Sequence, residues 1–234
     1  MEIVPAHLLS SLVLYGGSLV VPLLAFGTYL GSGATFKKSL NIALGVAAWG
    51  SVVFLFARYW QFSIADPTIV WIIVIANFLL PSILVVKFRN YFIGDGLSLA
   101  WLTLPQAFRY MGTLFILENL LGHTGTIFAY TAGFGDFAAA VIASTILIIL
   151  LTGGRPGKFI FYVLVIFGTL DFLVAYSLSF LSSKNVALHL IAVDENHLMT
   201  LLPLALLPYF LVPFAMAYHT MMFLTLKGAK NDEL

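Results

Sequence analysis

Cysteine is absent from all 234 residues. Without a thiol the chain cannot form disulfides, thiolate metal sites, cysteine nucleophiles or thiol redox relays. Charge is also scarce, because Asp, Glu, Lys and Arg together make up only 9% of the chain, against roughly 25% in soluble domains. With only 11 Lys and Arg residues, no basic patch can neutralise a phosphate backbone, so we expect no nucleic-acid partner.

Sequence motifs of the common enzyme classes are missing as well. The chain has no Gly-x-Ser-x-Gly elbow, no His-Glu-x-x-His pair, no phosphate-binding glycine loop and no paired-glutamate signature of an intramembrane protease. No lysine lies inside the last apolar segment to carry retinal, and His219 alone cannot supply a bis-histidine haem site. We therefore predict a protein that is not an enzyme and holds no cofactor and no metal.

Apolar residues are abundant and occur in long segments. They make up 61% of the chain, and a segment of about 20 residues crosses the ~30 Å hydrocarbon core as a helix. We predict an all-α, polytopic membrane protein whose main partner is the lipid bilayer. Its single domain of seven transmembrane helices spans residues 6–30, 39–60, 68–86, 97–121, 136–152, 159–181 and 198–226.

Basic residues in the short connections predict the orientation. If the seven spans alternate, eight basic residues fall on one side and only Arg58 and Lys184 on the other. Under the positive-inside rule the N-terminus is then outside and the C-terminus cytoplasmic. The eight residues are Lys37, Lys38, Lys87, Arg89, Arg155, Lys158, Lys227 and Lys230.

The stretch between the fourth and fifth spans is harder to interpret. Residues 122–135 are too polar and glycine-rich for a spanning helix, yet too apolar for a solvated loop, which indicates a partly buried or re-entrant connector. Asp136 follows at the predicted start of the fifth helix. An N-cap role, satisfying free backbone N–H groups, is favoured there over a role in a polar centre.

Arg109 lies in the middle of the fourth span, where a charged side chain costs at least ~3 kcal/mol unless it is paired or hydrated. Thr103, Gln106, Arg109 and Thr113 share one helical face. Asp171, at a similar depth in the sixth span, is the predicted counter-ion, with Asp136, Gln106 and Asn77 assisting. Such a polar centre could line a cavity that exchanges protons or holds a cation, or it could be a static ion pair that fixes helix register.

Other polar residues are secondary candidates. Glu118 lies near the end of the fourth span, and His219 lies towards the cytoplasmic end of the seventh, where packing is favoured over proton relay. The prolines of the seventh span free backbone carbonyls that could bind a cation or could only shape the helix. The remaining histidines lack metal-site spacing and are expected at the outer surface: His7, His123, His189 and His197.

Three stretches of the second half resemble an uncharacterised family of small bacterial multi-pass membrane proteins. They are Arg109-Tyr110-Met111-Gly112, the run Phe128-Ala129-Tyr130-Thr131-Ala132-Gly133-Phe134-Gly135-Asp136, and Leu211-Val212-Pro213 together with His219. The resemblance implies a bacterial inner, or cytoplasmic, membrane location and implies no particular activity.

The leading functional hypothesis is a small permease or channel-like protein for a small solute or ion, centred on Arg109 and Asp171. Two alternatives stay open. One is a seven-helix sensor or interaction protein that transports nothing and whose buried ion pair is purely structural. The other is a binder of lipid or of an apolar ligand.

Overall fold

The structure is a computed structural model that describes residues 8–59, 67–94, 96–181 and 202–228. All regular structure in these residues is helical, which confirms the predicted all-α class. The α-helices are α1 (Leu8–Gly31), α2 (Phe36–Tyr59), α3 (Pro67–Lys87), α4 (Arg89–Ile93), α5 (Leu99–Ala107), α6 (Leu114–Leu120), α7 (Thr126–Leu151), α8 (Lys158–Leu181) and α9 (Val212–Gly228).

Five helices within the described residues are long and apolar enough to cross a membrane: α1, α2, α7, α8 and the last helix with the turn that precedes it. In α3 the part whose side chains the structure describes, Ile72–Lys87, is also apolar. The predicted fourth span is divided into several pieces. The count of seven spans and the orientation therefore stay predictions, and His7, His189 and His197 lie outside the described residues.

The fourth predicted span consists of α5, a 3-10 helix over Phe108–Thr113, and α6. The 3-10 helix turns every 3.0 residues instead of 3.6, so the stripe expected from a continuous α-helix is broken beyond its start. Thr113 accordingly donates its hydroxyl to the carbonyl of Tyr110, 2.7 Å away, and takes no part in a polar stripe. Arg109 is the second residue of this 3-10 helix, so the direction of its side chain differs from that in a continuous α-helix.

Helix α7 begins earlier than predicted, at Thr126 with Gly125 as its N-cap, so most of the expected connector 122–135 is helical. Asp136 is then about three turns inside the helix and caps nothing, and the prediction of an N-cap there is wrong. The glycines that suggested a bend serve packing instead. A Cβ on Gly133 would lie 2.7 Å from Cγ1 of Ile116, and a Cβ on Gly135 would collide with the Asp171 carboxylate.

The last helical stretch forms the centre of the bundle. In the most apolar 18-residue segment of Leu207–Gly228, 67% of the residues are buried, whereas in the corresponding segment of α2 only 11% are buried. Helices α3, α5 and α8 all pack against α9. Most of this stretch is therefore shielded from the surroundings of the bundle, which is why a polar residue such as His219, 1% exposed, can be placed there.

A π-helical turn, Leu207–Leu211, precedes α9. Pro213 has no N–H group, so it cannot bond the carbonyl of Tyr209 in α-helical register or that of Pro208 in π-helical register. Both carbonyls are satisfied from neighbouring helices: Asn77 Nδ2 donates to Tyr209 at 2.5 Å, and the Tyr176 hydroxyl donates to Pro208. These carbonyls thus shape the bundle instead of offering a cation site.

Candidate functional site: a buried ion cluster

Arg109 is bonded by two carboxylates from two other helices. Its Nε donates to Oδ1 of Asp136 in α7 at 2.7 Å, and its Nη2 donates to Oδ2 of Asp171 in α8. All three side chains are buried, with exposed fractions of 4%, 11% and 8% in that order. We call Arg109, Asp136, Asp171 and the adjacent His219 the ion cluster.

His219, in α9, completes the contacts of the guanidinium. Its Nε2 lies 3.4 Å from Nη1 of Arg109. Because a guanidinium can only donate, Nε2 must accept and the ring proton belongs on Nδ1. Among the described residues Nδ1 is buried without a partner, as is Oε1 of Gln106. The His219 Nδ1–H group is therefore a donor, and the Gln106 Oε1 atom is an acceptor, that no described group of the protein satisfies.

An aromatic ring covers one face of the cluster. The guanidinium carbon of Arg109 lies 3.9 Å from the ring centroid of Phe172, which follows Asp171 in α8. The same ring meets the His219 imidazole edge-on, with centroids 5.9 Å apart. A cation over an aromatic face gains electrostatic energy, up to ~2 kcal/mol when water is excluded. Phe172 thus stabilises the buried guanidinium of Arg109 by covering one of its faces.

Three glycines from three elements make space for the cluster. A Cβ on Gly112 would collide with the Asp136 carboxylate, and one on Gly135 with that of Asp171. A Cβ on Gly168 would come within 2.5 Å of both Arg109 Nη1 and His219 Nε2. Since an alanine at each position would displace a charged or polar group, the backbone around the cluster fits these side chains closely.

A narrow cleft reaches the cluster between α1 and the π-turn. Its volume is about 50 Å³, and its lining includes Arg109, Asp136, Gly17 of α1, and Leu207 and Leu211 of the π-turn. A space of this size holds a few water molecules. Most of the lining is apolar, and Arg109 and Asp136 are the members of the cluster that reach it.

The formal charges of the cluster do not balance. Two aspartates face one arginine, and His219 is neutral in the tautomer that accepts from Arg109. With both carboxylates ionised, the cluster would carry one excess negative charge in a buried place. Such a charge is costly in hydrocarbon, so binding of one proton or one small cation would stabilise it. No group of His, Asp and Glu side chains suited to hold a metal occurs in the described residues.

The structure brings only part of the predicted polar centre together. Gln106 lies in α5, two residues before the 3-10 helix, and donates from Nε2 to the carbonyl of Ala215 at 3.1 Å. Asn77 has no hydrogen bond to the cluster. It accepts from Trp49 Nε1 at 3.1 Å and donates to Tyr209, so its expected role in the polar centre is corrected to a structural one.

Glu118 belongs to a separate pair at the turn between α6 and α7. Its carboxylate is fully buried, and Oε2 lies 2.7 Å from Nδ1 of His123. The His123 backbone N–H also donates to the Glu118 carbonyl at 2.8 Å. His123 was expected as a solvated surface group, and its side chain is only 17% exposed, because it covers this buried acid.

Sequence reasoning missed Phe172 and Gly112. Phe172 carried no distinctive signal among the 21 phenylalanines of the chain. Gly112 had one: it follows Arg109 by three residues within an apolar segment, where a glycine often marks a close approach of another helix. Gly168 gives a similar signal three residues before Asp171, and the space beside it is used by the side chains of Arg109 and His219.

The described residues form an all-helical protein whose five long apolar helices are compatible with a multi-pass membrane protein. Within that class, the chain belongs to the family described as "Domain of unknown function (DUF8737)", whose model matches residues 68–227. This range includes all four members of the ion cluster. Searches of curated proteins and of solved structures found no match.

Proposed function

We propose that this protein is a small permease that conducts protons or another small cation, with the ion cluster as the exchange site. The observation that carries the proposal is the excess carboxylate: Asp136 and Asp171 both bond one Arg109. A site that needs one more positive charge for neutrality can load and release it as access changes. His219 adds a further titratable group beside this pair, with Nε2 3.4 Å from Arg109 Nη1 and Nδ1 unpartnered among the described residues.

The size of the cleft limits what could pass. About 50 Å³ beside Arg109 and Asp136 accommodates water-sized species, whereas ligand sites for organic molecules are roughly 300 Å³ or more. A proton carried through a few waters fits this space. The geometry therefore supports proton or small-cation movement better than movement of an organic solute.

Irregular helical turns beside the cluster support a change of access. Arg109 lies in a 3-10 helix, and the facing side of the cleft is built by a π-turn. A 3-10 stretch within a longer helix often marks a hinge, and π-turns are frequent at functional sites. A small movement of the π-turn relative to α1 would widen or close the cleft.

A bacterial cytoplasmic membrane, with the C-terminus inside, is part of the same proposal. Its orientation is supported by the basic residues that cluster at one end of the bundle. Lys38 lies 5.8 Å from the ring centroid of Tyr29 and 5.3 Å from that of Tyr91, which shows that the end of α1, the start of α2 and α4 meet there. Under the positive-inside rule this end faces the cytoplasm.

The test is proton flux in liposomes that contain the purified protein, driven by a potassium diffusion potential and followed with a trapped pH-sensitive dye. We expect flux above protein-free liposomes for the native chain and for Glu118→Gln. Asp171→Asn should reduce flux to the protein-free level, because it removes the site for the extra proton. Glu118→Gln is the matched control, since it makes a similar acid-to-amide change at a buried carboxylate outside the cluster.

Two results would contradict the proposal. The first is a native protein, folded in the liposomes, whose flux of protons and of alkali cations equals that of empty liposomes. The second is undiminished flux in Asp171→Asn and Asp136→Asn. Circular dichroism and size-exclusion profiles of each variant establish that the folded protein is being compared.

A second candidate function is favoured by the glycine packing. Gly112, Gly135 and Gly168 hold the cluster so closely that it could act only as a rigid clamp between helices of a sensor or interaction protein. In that case Asp171→Asn leaves flux at the background level that the native protein already shows. Replacing all charges together, as Arg109→Met/Asp136→Asn/Asp171→Asn, should then preserve folding and partner binding, whereas the permease proposal requires this variant to be inactive.

A further inference from the structure

A large cavity opens at the basic end of the bundle, far from the ion cluster along the helices. Its volume is about 960 Å³. It lies between α4, the start of α5, the end of α7, the start of α8 and the end of α9. We call it the basic cavity, because the described residues of its lining include Arg89 and Lys227 and no acidic residue.

The two cations of the basic cavity are available to a ligand. Arg89 and Lys227 are both exposed, and neither forms an ion pair among the described residues. They come from different elements, Arg89 from the first position of α4 and Lys227 from the last turn of α9. Two unpaired cations on the walls of one concavity attract an anion more strongly than cations spread over a convex surface.

The rest of the lining has both polar and apolar parts. Ser98 and Thr225 contribute hydroxyl groups, and Thr225 Oγ1 is buried without a hydrogen-bond partner in the described structure. Leu150, Phe161 and Leu224 contribute apolar surface to the same cavity. A ligand that matches this lining has an anionic head next to hydrocarbon.

We propose that the basic cavity binds a phosphate group, as carried by the headgroup of an anionic phospholipid. The Arg89 guanidinium can take two phosphate oxygens through parallel N–H donors, and Lys227 adds a point charge. Both residues lie at helix ends, where Lys and Arg meet lipid headgroups, and the apolar wall accommodates the first part of the acyl chains. This inference is independent of the proton proposal.

The experiment measures lipid binding to the purified full-length chain by native mass spectrometry in detergent, with phosphatidylglycerol and phosphatidylcholine as probes. The test variant is Arg89→Gln/Lys227→Gln. The control is Lys37→Gln/Lys87→Gln, which removes the same charge from exposed lysines absent from the cavity lining. Each basic residue near a phosphate contributes about five-fold in affinity, so the test variant should bind phosphatidylglycerol about thirty-fold more weakly. The control should change less than two-fold.

A second arm distinguishes a lipid headgroup from a free phosphate. Inorganic phosphate is added alone, and the melting temperature of native and test proteins is followed. Retained phosphatidylglycerol without a phosphate-dependent rise supports the lipid source, whereas a rise in the native protein only, without lipid retention, supports a soluble phosphate. The proposal is overturned if the test and control variants lose phosphatidylglycerol equally, if neither loses it, or if phosphatidylcholine binds as tightly as phosphatidylglycerol.

Discussion

The ion cluster and the basic cavity contain similar chemical groups in opposite settings. In the cluster, Arg109 is buried and bonds two carboxylates, with an aromatic ring on its face. In the cavity, Arg89 and Lys227 are exposed and have no acidic partner among the described residues. The difference follows from depth: a charge in the middle of a helix must be answered by protein, whereas a charge at a helix end can be answered by water, lipid or a ligand.

The two regions also differ in how closely they are packed. Three glycines fit against the cluster, and the cleft beside it is about 50 Å³, whereas the cavity at the basic end is about 960 Å³. A single substitution that leaves the cluster unpaired or overpacked should therefore lower the free energy of unfolding. A substitution in the basic cavity should affect binding alone.

The largest expected effect is that of Arg109→Met. Removing the guanidinium leaves two buried carboxylates without a cation, and loss of one partner of a buried ion pair typically costs about 3–5 kcal/mol. We expect the free energy of unfolding, measured by SDS titration in mixed micelles, to fall by that amount. Addition of Asp136→Asn and Asp171→Asn should recover most of it, because the unpaired charges are then gone. A loss below ~1 kcal/mol for Arg109→Met would show that water or lipid already solvates the cluster.

The next effect is that of Gly135→Ala. The new methyl group would collide with the Asp171 carboxylate, and overpacking of a tight interior costs about 1–3 kcal/mol. The control is Gly45→Ala in α2, where a Cβ meets nothing, so the change should be neutral or stabilise by up to ~1 kcal/mol through helix propensity. SDS titration of both variants checks the pair. Equal stabilities would mean that the helices carrying Gly135 and Asp171 pack less closely than described.

The smallest effect on stability is expected for Arg89→Gln and Lys227→Gln. Both side chains are exposed and without an ion pair in the described structure, and surface substitutions of this kind usually change stability by less than about 0.5 kcal/mol. The same variants should retain native proton flux in liposomes of uncharged lipid. A loss of folding as large as that of Arg109→Met would remove the distinction between the two regions.

Sequence reasoning found the class of protein and the residue with the greatest need for a partner. Apolar segment length required membrane-spanning helices, and the position of Arg109 within one of them required a counter-charge. It misjudged Asp136, because a glycine pair before an aspartate is typical of a helix start. Those glycines are in fact helical, and Gly135 is there to admit a side chain from α8, a long-range contact that no local pattern contains.

The same limit explains Asn77 and the prolines of the last helical stretch. Pro213 necessarily frees backbone carbonyls, and this much follows from the sequence. Whether they face a ligand or a neighbour depends on the packing of α3 and α8 around the π-turn, which places Asn77 and Tyr176 against them. A polar residue in an apolar segment therefore predicts that it has a partner, but it does not predict which residue that partner is.

By itself, the sequence determined that this chain is built of apolar helices. Segments of that length and composition can satisfy their backbone groups in lipid only as helices or as closed barrels. The apolar segments of this chain lack the alternation of barrel strands, which leaves helices. It also determined that Arg109 must be compensated. Only the tertiary structure decided that two aspartates share this arginine, that glycines make the space for them, and that Arg89 and Lys227 meet across a cavity. The physical reason is that helix formation is local, whereas the pairing of charges depends on which helices pack together.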